Sequence, residues 1–142
     1  MGKAVIFVRV STEKQHLESQ EAELRRMALY DGFNESDIIY IGKKESGYKL
    51  EENEREGLEE LNQLIEKGDI DTTYIWELSR VSRKPKILYS VRDKLFENKI
   101  QLKCLNPQFT LLTNDRTKYD NTANIIFSLF GALAEQEVIE KK

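Results

Sequence analysis

The chain has 142 residues, of which 39% are hydrophobic and 33% charged, the composition of one ordinary globular domain with a sizeable core. Twenty-two basic residues against 25 acidic ones leave a net charge of −3, which argues against strong salt-driven capture of nucleic acid by this segment alone. No apolar run approaches the roughly 20 residues that cross a bilayer, and the N-terminus lacks the pattern of a secretion signal, so the expected compartment is the cytoplasm, with no membrane partner.

Short apolar runs alternate with amphipathic stretches, the pattern of an α/β domain built on a mainly parallel sheet. Ala4 to Val8 reads as the first strand. From about Leu17 to Tyr30, Leu17, Leu24, Met27 and Ala28 recur at helical spacing, so this segment predicts a helix with one buried stripe, and Gln20, four residues before Leu24, lies on its inward side. Asp37 to Gly42 predicts a second strand, and the polar stretch from Lys43 to Glu54 a flexible loop. Asn53 with Glu56 has the form of a capping box, opening a helix through Lys67 whose buried face is Leu58, Leu61, Leu64 and Ile65.

Thr72 to Trp76 predicts a third strand that runs into Leu78-Ser79-Arg80-Val81-Ser82-Arg83. Pro85 fits the first turn of a helix through about Asn98 with Leu88, Val91, Leu95 and Phe96 inward. Ile100 to Leu105 predicts a fourth strand, in which the single cysteine, Cys104, reads as a small buried hydrophobe. Asn106 to Asp120 has no periodicity and predicts a polar loop. The last segment carries Ile125, Ile126, Phe127, Leu129, Phe130, Leu133, Val138 and Ile139. Its apolar surface exceeds one stripe, so one face can cover the sheet while the other needs a partner chain. With no glycine or proline stop before Lys142, the natural protein is expected to continue.

In open parallel sheets ligands bind outside the carboxyl ends of strands, and two polar motifs fall there. Arg9 and Ser11 follow the first strand; Arg80 and Arg83 follow the third. A phosphodiester repels nucleophiles, and its transition state gains charge that fixed guanidinium groups can meet. Taken singly, a serine after a strand is most often a turn or cap residue, and arginines such as Arg80 and Arg83 are most often solvated. Arg9, ending an apolar strand, needs an anionic partner. His16 is the one histidine, and with no second histidine or cysteine cluster neither a metal site nor a cofactor is expected.

As an ordered set these residues resemble the catalytic domain of the serine recombinases, the resolvase and invertase family. The resemblance runs over nearly the whole chain: Arg9-Val10-Ser11-Thr12, Gln20, Ser46-Gly47, Arg55 with Gly57-Leu58, and Leu78 to Arg83. It implies a three-layer resolvase-like α/β domain with a mainly parallel central sheet flanked by helices and a long C-terminal helix. It further implies that Ser11 attacks a phosphate of double-stranded DNA to form a transient 5′-phosphoserine linkage without metal or ATP. Arg9, Arg80 and Arg83 would hold the scissile phosphate, Arg55 would assist and Gln20 would orient the site. Family members act as homodimers that assemble into tetramers on DNA, where the protein would be associated with the nucleoid. On this reading residues 1–142 are the catalytic domain, residues 120–142 begin the dimerisation helix, and a separate DNA-binding domain lies outside this sequence.

Three departures follow from the same comparison. Ser79 stands where the family usually has an aspartate before the first arginine of the pair, Glu137 is followed by Val138 rather than arginine, and the DNA-binding domain is missing. Ser79 and Val138 support an alternative, a non-catalytic resolvase-like oligomerisation or regulatory module. Retention of Ser11, Arg9, Arg80 and Arg83 opposes it. A phosphate-binding domain for a soluble ligand would require a glycine-rich phosphate loop, which this chain lacks.

Overall fold

The computed structural model describes residues 2–8, 14–42 and 50–140, with side chains described over 2–8, 19–42 and 55–133. Five strands and four α-helices follow in the order β1 (Lys3–Phe7), α1 (Lys14–Tyr30), β2 (Ile38–Ile41), α2 (Leu50–Lys67), β3 (Ile70–Ile75), α3 (Pro85–Glu97), β4 (Gln101–Leu105), β5 (Gln108–Thr110) and α4 (Asn121–Glu140). The sheet order is β2-β1-β3-β4-β5. The first four strands pair in parallel and β5 runs antiparallel to β4.

Strand alternation divides the core in two. Ala4, Ile6, Val8 and Tyr74 pack with Leu24 and Ala28 of α1 on one face. Val5, Phe7 and Ile75 pack on the other with Leu61 and Ile65 of α2, Leu88 and Leu95 of α3, and Ala123 and Phe127 of α4. The result is the three-layer α/β domain expected, with one helix above the sheet and three below. Cys104 is buried and free in β4, and burial pushes its thiol up to about 11, so it is an inert core residue.

Two expectations need correction. α2 begins at Leu50 rather than at a cap on Asn53. Glutamates at 51, 52 and 54 are good helix formers and suit the positive end of a helix dipole, so residues 50–54 of the stretch read as loop belong to the helix, while 43–49 lie outside the described residues. The segment after β4 is not an irregular loop: it contains β5 and an isolated bridge between Leu112 and Tyr119. Much of its order comes from side chains. The Gln101 amide accepts from the Leu112 backbone N–H at 2.8 Å and donates to the Leu112 carbonyl at 3.0 Å. Arg116 donates to the carbonyls of Asp71 and Lys99, each at 2.9 Å, and to the Asp71 carboxylate at 3.0 Å.

On the α1 side, the buried Tyr74 hydroxyl donates to Asp31 Oδ2 at 2.6 Å, and Lys103 Nζ donates to the same oxygen at 2.8 Å. Burial and the Asp31 carboxylate together raise the Tyr74 pKa well beyond the usual phenol range. Asp31→Ala would leave a buried hydroxyl and a half-buried ammonium without an acceptor, and should destabilise the fold by about 3 kcal/mol. Urea melts of Asp31→Ala, Tyr74→Phe and the double variant should show strong coupling. Additive losses would mean that the two groups act independently.

α3 and α4 cross closely at Gly131. A Cβ built there would lie 2.1 Å from the Tyr89 hydroxyl, which donates to the Phe127 carbonyl at 3.2 Å. Arg92 stacks over Tyr89, Tyr119 and Phe127 at 4.9, 5.2 and 5.5 Å from the ring centroids, tying the same helices together. Gly131→Ala gains up to about 1 kcal/mol of helix propensity but loses roughly 1–3 kcal/mol to overpacking, so it should destabilise. In a Tyr89→Phe background the nearest atom becomes Cζ at 3.3 Å, and the same substitution should be neutral or stabilising. Thermal melts of the four proteins read this reversal of sign directly.

Candidate functional site

The sheet order sets where a ligand can enter. The chain leaves β1 for β2 on one side and reaches β3 on the other, so the connections diverge between β1 and β3 and open a crevice beyond their carboxyl ends. A small cleft lies there, lined by Phe7, Val8, Gln20, Glu21, Leu24, Trp76 and Arg80. At about 10 Å³ it has room for roughly one water molecule. It is a point of contact for a surface-bound group, not a pocket that engulfs a substrate.

Each wall follows from local sequence. Phe7 and Val8 end β1, where the Val8 N–H donates to the Ile41 carbonyl at 2.7 Å and holds the strand end against β2. Gln20 is half-buried one turn before Leu24 on the inner face of α1, as its spacing predicts. Trp76 and Glu77 leave β3 and enter a 3₁₀ turn over Leu78–Arg80, in which the Arg80 N–H donates to the Glu77 carbonyl at 3.0 Å. Leu78 and Val81 are buried in the lower core and anchor that turn from both sides. Ser82 is fully buried, and its Oγ accepts from the Lys84 N–H at 3.0 Å, directing the chain into Pro85 at the start of α3.

Arg80 is the electrostatic centre of the cleft. Its side chain is only 20% exposed, its Nε lies 3.6 Å from Glu77 Oε1, and that nitrogen is buried with no hydrogen-bond partner among the described residues. A buried guanidinium donor without an acceptor is costly unless an anion meets it. Geometrically, the site is a cation at a strand-end crevice with an unused donor.

The structure therefore brings Gln20 and Arg80 into one site. Arg83 is exposed beyond the 3₁₀ turn, and Arg55 is exposed on α2. Arg55 lies two residues before Gly57, whose built Cβ would be 3.0 Å from Phe7 Cζ, so α2 passes close to the end of β1. Arg9, Ser11, Thr12, Ser46 and Gly47 lie outside the described residues, as do the side chains of His16, Leu17, Glu137 and Val138. Trp76, which the sequence marks only as the end of a strand, and Glu21 and Glu77 were not among the predicted site residues. The signal for Glu77 was its position three residues before Arg80, the spacing at which opposite charges meet on one turn.

A larger hollow of about 710 Å³ lies elsewhere, between the end of α1, β4–β5 and the start of α4. Its charges are already matched: Asp31 with Lys103 at 2.8 Å and Glu23 with Arg26 at 2.9 Å. Asp120 caps α4 through the Thr122 N–H at 2.9 Å. Charge and topology both favour the smaller cleft.

The family model described as "Resolvase, N terminal domain" matches residues 4–140. The chain belongs to the resolvase family. Among solved structures, it resembles the N-terminal catalytic domain of TP901-1 integrase, at 26% identity and a TM-score of 0.62 over 99% of each chain. It also resembles a resolvase family site-specific recombinase from Streptococcus pneumoniae, at 20% identity and a TM-score of 0.63, over 99% of this chain and 90% of that one; at that identity the likeness is one of fold. The resolvase-family chain thus has the fold of a recombinase catalytic domain, with its mostly parallel five-stranded sheet and long last helix. None of its described helices is long and apolar enough to cross a membrane, and no cluster of three or more metal-binding side chains occurs among its described residues.

Proposed function

We propose that this chain is the catalytic domain of a site-specific DNA recombinase in which Ser11 is the nucleophile. The observation that carries this reading is Arg80: a mostly buried guanidinium whose Nε donor is unused among the described residues, sharing with Gln20 a crevice at the end of β1. Val8 lines that crevice, and Ser11 follows three residues later, a length of chain that reaches at most about 11 Å. The Ser11 hydroxyl attacks phosphorus, forming an Oγ–P ester and breaking the P–O3′ bond. The serine gives up its proton and the departing 3′ oxygen gains one. Arg80, with Arg9 and Arg83, meets the charge that builds on the phosphoryl oxygens; Gln20 orients the site and Arg55 assists. Because the ester conserves the bond energy, attack by a 3′-hydroxyl reverses the step and rejoins strands without ATP.

A further feature supports assembly from more than one copy. Ile125, Leu129 and Leu133 recur every four residues along α4 and are 66%, 58% and 55% exposed, an apolar stripe suited to a second copy of the chain. On this proposal most DNA affinity resides in a separate DNA-binding domain, a reading the net charge of −3 supports, while residues 120–142 begin the dimerisation helix and dimers pair into tetramers. Such a protein works in the cytoplasm on the nucleoid. The full-length protein, incubated with DNA spanning the junction of its own genetic element, should yield a denaturant-resistant protein–DNA band in EDTA. DNA shown to be bound but never cut would overturn the proposal in favour of a non-catalytic oligomerisation module.

A further inference from the structure

We infer that Glu77 is a displaceable internal anion that holds Arg80 in the free protein and competes with phosphate for it. The inference rests on the reading of Arg80 as a phosphate-binding residue. Glu77 is the residue at the N-terminal cap of the Leu78–Arg80 turn, yet its carboxylate makes no capping hydrogen bond. Instead its Oε1 stands 3.6 Å from Arg80 Nε. That separation exceeds hydrogen-bond length, so the pair is joined by charge alone and the Nε donor has no hydrogen-bond acceptor among the described residues.

Such a contact has two consequences. It neutralises a guanidinium that the surrounding apolar walls would otherwise penalise, which holds the Arg80 side chain in the crevice before substrate arrives. It is also easily exchanged, because an incoming phosphate oxygen at hydrogen-bond distance offers Nε what Glu77 does not, a charge-assisted bond. The Glu77 side chain is 37% exposed and can swing toward solvent once displaced. While it stays, its negative charge opposes a second anion beside Arg80. Glu77 is thus a positioning residue acting through Arg80, one that lowers phosphate affinity in the free protein.

Glu77→Gln keeps the side chain's size and removes its charge. Binding of inorganic phosphate, followed by thermal shift, and of a site-containing duplex at low ionic strength should tighten by roughly three- to tenfold. The gain should shrink as salt is raised and vanish in an Arg80→Gln background, while Glu77→Asp, which keeps the charge, should bind as the wild type does. Unchanged or weaker binding by a folded Glu77→Gln protein would overturn the inference. So would a gain that persists without Arg80, since that would be a general effect of surface charge. Loss of the parent reading has a different signature: Arg80→Gln alone would then leave both phosphate affinity and DNA cleavage at wild-type levels.

Discussion

Arg80→Gln should lower the rate of DNA cleavage by about 10²–10³-fold, the range seen when one preorganised transition-state donor is removed, while leaving the melting temperature nearly unchanged. The kinetic loss is large because the guanidinium sits in a crevice walled by Phe7, Val8, Leu24 and Trp76, where screening by water is weak and a fixed charge counts for more. The stability change is small because the turn that carries it is anchored by Leu78 and Val81, not by the Arg80 side chain. Arg80→Lys should recover little. A lysine offers a point charge on a flexible stem, and the forked geometry that matches two phosphoryl oxygens is lost. Single-turnover cleavage with saturating DNA, measured beside thermal melts, separates this outcome from simple unfolding. A cleavage rate within a few-fold of wild type would show that Arg80 does not meet the reacting phosphate.

Ser11→Ala should abolish cleavage altogether, with DNA affinity retained. With Ser11 as the nucleophile, a hydroxyl elsewhere would bring its oxygen to a different place relative to the phosphate, and displacement of a reacting atom by even about 1 Å costs on the order of 10²-fold. The Ser79 and Ser82 hydroxyls illustrate the point. Ser82 is fully buried and accepts from the Lys84 N–H, so it shapes the turn before α3, and Ser79 belongs to the same 3₁₀ turn as Arg80. Gel-shift titrations of Ser11→Ala should overlay those of the wild type, and denaturing gels of the same reactions should contain no nicked or covalently bound product. Residual cleavage by Ser11→Ala would assign the nucleophile elsewhere.

How far the site could be read from sequence depended on how regular its surroundings are. The continuous apolar run Ala4 to Val8 placed β1, Pro85 marked the first turn of α3, and the spacing of Gln20 to Leu24 put the glutamine on the inner face of α1; in each case local sequence and tertiary packing agree. β5 escaped because it is three residues long, and beyond it Leu112 is held by a side-chain amide, Gln101, rather than by a regular ladder. The start of α2 escaped because Leu50 is the single apolar residue in its first turn, followed by Glu51, Glu52, Asn53 and Glu54, too little to report a buried face. The burial of Arg80 was not legible for a related reason: a single 3₁₀ turn has no repeat long enough to show which side faces inward. Its partner Glu77 was visible only as an acid three residues away, a spacing that becomes informative once the turn itself is known.

The most direct measurement is to trap the covalent protein–DNA complex of the full-length protein, digest both components, and identify by mass spectrometry the residue carrying the nucleotide and the DNA end it holds. One modified peptide is expected, containing Ser11 esterified to a 5′ phosphate, with a free 3′-hydroxyl on the opposing strand end. Attachment at any other residue, or linkage through a 3′ phosphate, would contradict the proposed mechanism.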